Sequence, residues 1–368
     1  MDGSNVREKI ADLTVQELFG GVLLLGIVLL ILDLVRLVAV GELPIGRLWA
    51  YIWNGLVDSL YIGLAAIGLS MTYSILRFAN FSHGDLLTTG AFSGWTVAYL
   101  IGGIGVADLS SRLLLRADGG AQPGMMEMEV LSAPLAIVAG LVVAAVVTIL
   151  VALAIDRLVY RQLRDAGGIP LLIASVGVAL ALRYLIALFY TTETRGVVAS
   201  APQWETPGVV PVDTVNLHEA TLVIAALSLI VGVHLLLQYT KLGKSMRAMS
   251  DNKDLALITG IPTERVIFAT WVIGSGLAGV AGYLIILDRG QITINLGWFL
   301  LLLIFAAVIL GGIGSIYGAL AGSLVIGLTI NLSLVWIPSD LNETAAFMLM
   351  ILVLIFRPDG LFTGVKTA

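Results

Sequence analysis

Long apolar runs, separated by short polar segments, dominate the pattern of residues along this chain. A helix needs roughly 20 residues to cross a bilayer, and the number of apolar runs of about this length predicts about ten spans. They lie near 18–40, 51–76, 86–104, 134–156, 169–190, 219–239, 264–287, 297–313, 316–336 and 343–356. The pattern therefore predicts an all-α fold, a polytopic transmembrane helix bundle. The first run lacks a cleavage site, so we interpret it as a retained helix.

Composition supports the membrane interpretation and excludes several classes of function. Of the 368 residues, 58% are hydrophobic and 12% charged, against about 25% charged residues in soluble domains. A net charge of -5 and scattered basic residues argue against nucleic-acid binding. The chain has no cysteine, and its three histidines lie far apart. We therefore predict no metal site and no cofactor.

The distribution of basic residues predicts the orientation of the chain. With the N-terminus inside, most basic residues fall in cytoplasmic segments, as the positive-inside rule requires. These residues are Arg7, Lys9, Arg77, Arg157, Arg161, Arg164, Lys241, Lys244, Arg247, Lys253, Arg265, Arg357 and Lys366. We predict a multi-pass protein of the cell membrane with both termini in the cytoplasm.

The polar sequence NFSHGD interrupts the apolar pattern between the second and third spans. Its residues Asn80, Ser82, His83, Gly84 and Asp85 would be costly in lipid unless they face protein or water. One interpretation is a helix start at the membrane surface, with Ser82 and Asp85 forming a capping box. The other is a broken helix, or a re-entrant one, that borders a solute pathway.

A second interruption lies in the stretch AAVILGGIGSIYGALAG, where Gly311, Gly312 and Gly314 divide an apolar region. Paired interruptions mark the pathway or the hinge in many transporters. This one and the first are compatible with an inverted repeat. A short turn between two spans explains the same glycines.

The polar segment 241–266 predicts a short cytoplasmic helix. Ser250 or Asp251 would cap it, and Gly260 with Pro262 would end it. The candidate docking residues are Ser250, Asp254, Leu255, Ala256, Ile258 and Gly260. The exposed apolar face of so short a helix needs a partner surface, which could be another subunit, the chain's own bundle or lipid.

A nucleotide site is not predicted. The sequence Gly243, Lys244, Ser245 resembles the end of a Walker A loop, but Gln238 stands where that motif needs glycine. We therefore predict that this chain is not an enzyme. Among charged residues inside spans, Asp33 and Arg36 are spaced to pair, whereas Asp58, Arg183 and His234 have no partner apparent from the sequence.

Several motifs in order resemble the permeases of branched-chain amino acid ABC importers. They are NGLVDSLYIGLAAIGLSMTYSILRFANFSHGD, MRAMSDNKDLALITGI, LGGIGSIYGALAG and RPDGLF, and the match spans roughly 53–362. Ser82 and Asp85 stand where the family usually has alanine and glutamate. The resemblance divides the chain into an N-terminal segment with an extra helix (1–50), a permease domain (51–362) and a tail (363–368).

The resemblance implies a permease subunit that moves branched-chain amino acids, or a related small polar solute, by alternating access. The implied partners are a second related permease, two cytosolic ATP-binding subunits and an external solute-binding protein. In this arrangement the Ser250 to Gly260 helix would be the coupling helix that inserts into an ATPase. The alternative is a self-sufficient secondary transporter or channel for a solute such as urea or an amide.

Overall fold

The computed structural model describes residues 15–108, 128–198, 203–205, 214–358 and 360–361. Its α-helices are α1 Val15–Val40, α2 Ile45–Leu76, α3 Ser82–Gly102, α4 Pro134–Ile155, α5 Arg161–Leu163, α6 Gly168–Tyr190, α7 Leu217–Tyr239, α8 Lys241–Asp251, α9 Lys253–Ile258, α10 Thr263–Arg289, α11 Leu296–Gly311, α12 Ile316–Leu332 and α13 Asn342–Phe356. All except the short α5, α8 and α9 coincide with predicted spans. The helical membrane bundle is therefore confirmed.

Shorter elements complete the description. A π-helix, Asp156–Tyr160, follows α4, and 3-10 turns occupy Arg164–Ala166, Ser333–Val335 and Ser339–Leu341. Strand β1 (Arg195–Gly196) pairs antiparallel with β4 (Gln291–Ile292), and β2 (Gln203–Glu205) pairs antiparallel with β3 (Thr214–Asn216). Among the described residues, seven helical segments are long and apolar enough to cross a membrane, and α11 is a shorter apolar helix.

Helices α2 and α10 cross at the centre of the bundle. A Cβ on Gly274 of α10 would stand 3.0 Å from the carbonyl oxygen of Gly68 on α2. Helices in lipid have no hydrophobic drive to associate, so this close backbone approach strengthens their packing. The bundle also buries large aromatic side chains almost fully, among them Trp95, Trp271 and Tyr283.

Helices α3 and α11 also cross near their first turns. The Gly297 amide of α11 donates to Thr88 Oγ1 of α3 at 3.0 Å, and the Phe81 and Phe305 rings lie 5.2 Å apart. These contacts pair early residues of one helix with later residues of the other, so the two helices run antiparallel.

The same antiparallel relation joins α2 to α10, so α2–α3 and α10–α11 form two units of opposite direction. An inverted repeat predicts this arrangement. The sequence interpretation paired the wrong segments, however. The break that corresponds to 77–81 is 290–295, between α10 and α11, because Gly84 and Gly297 meet at the starts of the two inner helices. The Gly311 stretch lies at the other end of α11.

Helices α4, α6, α7 and α13 surround this centre and leave apolar side chains on the outside. Leu188 of α6 is 77% exposed and Ile224 of α7 is 68% exposed. Such faces suit lipid or another membrane subunit. Helix α1 packs on α13, and Trp336 donates to Asp33 of α1 at 2.9 Å. The predicted pair Asp33 and Arg36 is present at 2.9 Å.

Candidate functional site

The break between α2 and α3 returns the chain into the bundle. Helix α2 ends at Leu76, and Arg77 adopts a left-handed conformation with φ 59°. Four irregular residues then lead inward to the start of α3 at Ser82. The side chains of Asn80, Ser82, His83 and Asp85 are all at most 1% exposed. Here the chain buries a dense group of polar side chains within the bundle.

Hydrogen bonds inside this break explain how it is held. Asn80 Oδ1 accepts from the Ser82 amide at 3.1 Å and from Ser82 Oγ at 2.7 Å, so the asparagine side chain turns the chain into the helix. Ser82 Oγ also contacts Tyr160 Oη at 2.7 Å. Tyr160 ends the π-helix and stacks on Trp271, with 5.4 Å between the ring centroids. The break is therefore tied to α10 and to the end of α4.

His83 defines the depth of the site. Its Nε2 lies 2.9 Å from the carbonyl oxygen of Ala65 on α2. Ala65 stands eleven residues before the end of α2 at Leu76, which is about 16 Å at the rise of an α-helix. The start of α3 is thus well inside the bundle, as a broken or re-entrant helix predicts.

Asp85 does not take part in a capping box. Its carboxylate accepts two hydrogen bonds from Arg183 of α6, from Nε at 3.1 Å and from Nη2 at 3.0 Å. The Arg183 guanidinium carbon lies 4.6 Å from the centre of the Trp298 ring at the start of α11. Three helices meet at this ion pair. The capping-box interpretation of Ser82 and Asp85 is therefore wrong, because the carboxylate is used elsewhere.

The second candidate group lies at a different depth. Helix α11 ends at Gly311, and Gly312 and Gly314 take positive φ values of 104° and 87° in the turn to α12. A Cβ on Gly314 would come no closer than 3.9 Å to Ser74, near the end of α2. Ser74 is nine residues beyond Ala65, about 13 Å along α2. The structure therefore does not bring this turn together with the Asn80 to Asp85 break.

The short helix predicted within 241–266 is present as α9, but its cap is different. Asn252 Oδ1 accepts from the Leu255 amide at 2.9 Å, whereas Ser250 and Asp251 belong to the preceding helix α8. Asparagine serves here because its side-chain oxygen reaches a free amide of the first turn. The prediction of Ser250 or Asp251 as the cap is thus wrong. Gly260, with φ +81°, follows the end of α9 as predicted.

Helix α9 exposes an apolar surface. Leu255, Leu257 and Ile258 are 58%, 53% and 83% exposed, whereas Ala256 is buried against the chain. Arg77 Nη2 donates to the carbonyl oxygen of Ser250 near the end of α8. This contact connects the α8–α9 segment directly to the first residue of the polar break.

Residues without an apparent partner in the sequence acquire one in the structure. Asp58 accepts from Tyr61 at 2.5 Å and from Asn331 at 2.7 Å, and His234 Nδ1 lies 2.8 Å from Tyr317 Oη. The sequence interpretation missed the roles of Tyr160, Trp298 and Asn252. No local signal marks the first two, because their partners are more than 75 residues away. Asn252 is a good N-cap residue by type and could have been identified.

Within the described residues, no group of histidine and acidic side chains is arranged to hold a metal ion. The Lys241–Asp251 segment, which contains Gly243 to Ser245, is a helix that follows helix α7 after one residue. A phosphate-binding loop instead follows a strand.

Comparison with known proteins finds relatives that match this chain along most of its length. Residues 51–356 match the family described as branched-chain amino acid transport system / permease component. The high-affinity branched-chain amino acid transport system permease protein LivH of Escherichia coli is 28% identical over 314 residues, covering 84% of this chain and 93% of that protein.

Two further relatives come from distant organisms. The corresponding permease BraD of Pseudomonas aeruginosa is 28% identical over 310 residues, covering 84% of this chain and 93% of that protein. A probable branched-chain amino acid transport permease of Methanocaldococcus jannaschii is 27% identical over 329 residues, covering 85% and 91%. No solved structure matches the chain.

Proposed function

Because the chain belongs to the branched-chain amino acid transport system permease family, we propose that it is the membrane-spanning subunit of an ATP-driven importer. Its solutes are branched-chain amino acids, as the names of its relatives state for them. The observation that carries the proposal is the buried polar break at the start of α3, which places hydrogen-bonding groups within a membrane bundle. Polar groups at such a depth are typical of solute pathways.

The pathway in this proposal has two levels. Asn80, Ser82, His83, Gly84 and Asp85 border its middle, next to the crossing of α3 and α11. Gly311, Gly312 and Gly314 form its cytoplasmic end, where positive φ values make a turn that glycine adopts without strain. The two levels belong to one route because α11 runs from the first to the second.

Partner ATPases supply the energy in this proposal, since no nucleotide-binding loop is apparent in the sequence. The docking element is α9, with Leu255 and Ile258 as its exposed apolar contacts and Asp254, Ala256 and Gly260 shaping the helix. Arg77 transmits a movement of α9 to the polar break, because its side chain donates to the carbonyl oxygen of Ser250 and its backbone begins the break. A second permease and an external solute-binding protein complete the assembly.

The proposed orientation places α9 and both termini in the cytoplasm. Arg77, Arg157, Arg161 and Arg164 then share the cytoplasmic side with the basic residues of α8. The division into an extra first helix (1–50), a permease domain (51–362) and a tail (363–368) belongs to the same proposal. The tail lies outside the described residues.

Deletion of this gene in the source organism tests the proposal. High-affinity uptake of leucine, isoleucine and valine should disappear and return with a plasmid copy. Unchanged uptake, together with loss of urea or amide uptake, would overturn the assignment of the solute. Purified chain alone in liposomes should move none of these solutes. Strong ion-coupled uptake by the chain alone would favour the self-sufficient transporter instead.

A further inference from the structure

The ion pair between Asp85 and Arg183 is unusual in its position. Asp85 is fully buried, and the Arg183 side chain is 11% exposed. Both belong to membrane helices, Asp85 to the first turn of α3 and Arg183 to the second half of α6. Taking two charges out of water costs several kcal/mol per ion, and replacement by apolar residues is often neutral or stabilising. Charges inside a membrane bundle are accordingly rare and usually functional.

The contacts around Arg183 hold two of its three guanidinium nitrogens. Nε and Nη2 both bond Asp85, at 3.1 and 3.0 Å, and the guanidinium lies over the Trp298 ring. Nη1 makes no hydrogen bond to any described residue, and the side chain keeps a small exposed fraction. A guanidinium bound in this way is oriented in advance, so a further ligand does not have to order it.

The surroundings of this nitrogen decide which ligand it suits. Guanidinium nitrogens are donors only, and their strongest partners are carboxylates and phosphates. Asp85 and Trp298 occupy the first turns of α3 and α11, where the helix dipoles add positive potential. Asp85 is fully buried and both of its oxygens accept from Arg183, so the guanidinium is the group that a solute could meet. Its Nη1 donor is the complement of the carboxylate of an amino acid.

We propose that Arg183 receives the carboxylate of the transported amino acid through Nη1, while Asp85 orients the guanidinium. The Trp298 ring packs against the guanidinium of Arg183. This inference rests on the proposed import function and identifies the group that recognises the solute within the membrane. It predicts that a variant with a neutral side chain at position 183 assembles and hydrolyses ATP but takes up solute much more slowly.

The test uses the complete transporter in proteoliposomes, with the substitution Arg183→Gln. We expect leucine uptake at limiting solute to fall by about 10- to 100-fold, which is the range expected for one charge-assisted hydrogen bond. Co-purification with the ATPases and stimulation of ATP hydrolysis by the loaded binding protein should stay within about twofold of wild type, because α9 is unchanged. Arg183→Lys, a point charge without the planar fork, should recover only part of the uptake.

The matched control is Arg164→Gln. Arg164 also pairs with an aspartate, because its Nη2 donates to both oxygens of Asp156 at 2.7 Å, and its Nη1 donates to Glu264. Its side chain is 12% exposed, but it lies in the connection between α4 and α6. If the Arg183 pair were only structural, both variants would lose thermal stability and uptake alike. The exchange of the pair, Asp85→Arg with Arg183→Asp, should restore stability without restoring uptake.

The outcomes separate this inference from the proposed function. Wild-type transporter that shows no ATP-dependent leucine uptake overturns the function itself. If the Arg183→Gln transporter, or the transporter with the exchanged pair, takes up leucine at the wild-type rate, only the role of Arg183 as the carboxylate ligand is overturned.

Discussion

The crossing of α3 and α11 supplies the sharpest test of the arrangement around the site. Substitution Gly297→Ala adds one methyl group where the two backbones touch. A Cβ at this position would overlap the carbonyl oxygen of Gly84 and would stand 2.5 Å from Thr88 Oγ1. The Gly84 carbonyl belongs to the backbone and cannot turn away as a side chain can, so the helices must separate. The hydrogen bond from the Gly297 amide to Thr88 would weaken as they do.

The expected cost follows from these two effects. Inserting a methyl group into a packed core costs about 1–3 kcal/mol, and the loss of one hydrogen bond adds about 1 kcal/mol. A total of about 2–4 kcal/mol lowers the melting temperature by roughly 4–8 °C, at about 2 °C per kcal/mol, the lower end of the sensitivity known for domains of moderate size. The control is Gly177→Ala in α6, where a Cβ meets nothing within 4 Å. It should leave the melting temperature unchanged or raise it slightly.

Intrinsic tryptophan fluorescence of the purified chain in one detergent, heated at one fixed rate, measures both variants. A fixed rate matters because membrane proteins often unfold irreversibly, and the apparent midpoint then depends on the scan. If Gly297→Ala melts within about 2 °C of Gly177→Ala, the backbones of α3 and α11 do not touch at Gly84. The placement of the Asn80 to Asp85 break beside α11 would then be wrong.

Three further predictions concern docking and the polar break. The double substitution Leu255→Ala and Ile258→Ala removes two apolar side chains that are 58% and 83% exposed. The affinity for the ATPase in a pull-down titration should therefore fall by about 30-fold or more. Undiminished binding would contradict the coupling role. Asn252→Ala should lower the affinity for the ATPase by about fivefold through loss of the cap, whereas Ser250→Ala should leave it unchanged. A larger loss of affinity in Ser250→Ala than in Asn252→Ala would refute Asn252 as the cap. His83→Ala should reduce uptake far more than membrane expression, and the opposite result would favour a purely structural role.

The contacts of Arg77 give these predictions a common physical basis. One side of Arg77 bonds the α8 segment, and the chain continues from it into the polar break. In the proposed coupling, a displacement of α9 reaches Asn80 through Asn252, Asp251, Ser250, Arg77, Phe78 and Ala79. Because Tyr160 and Trp271 hold the other side of the break, movement there also affects α10. This short connection is what a coupled importer requires.

The sequence by itself determined the helical class, the approximate number of apolar runs and the presence of the short helix α9. Hydropathy acts over about 20 consecutive residues, and helix stops such as Gly260 act over one turn, so each signal is local. The polar residues Asn80 to Asp85 also stood out locally, because their cost in lipid does not depend on any partner. Family motifs then added the transport role.

Only the tertiary structure decided what these residues contact. The pairing of Asp85 with Arg183 joins residues 98 apart, and the approach of Gly84 to Gly297 joins the two halves of the chain. The sequence interpretation placed the second break at Gly311, since glycine content alone cannot show which helix starts lie inside the bundle. Packing determined it, because backbones approach closely only where both helices carry small residues at the same depth.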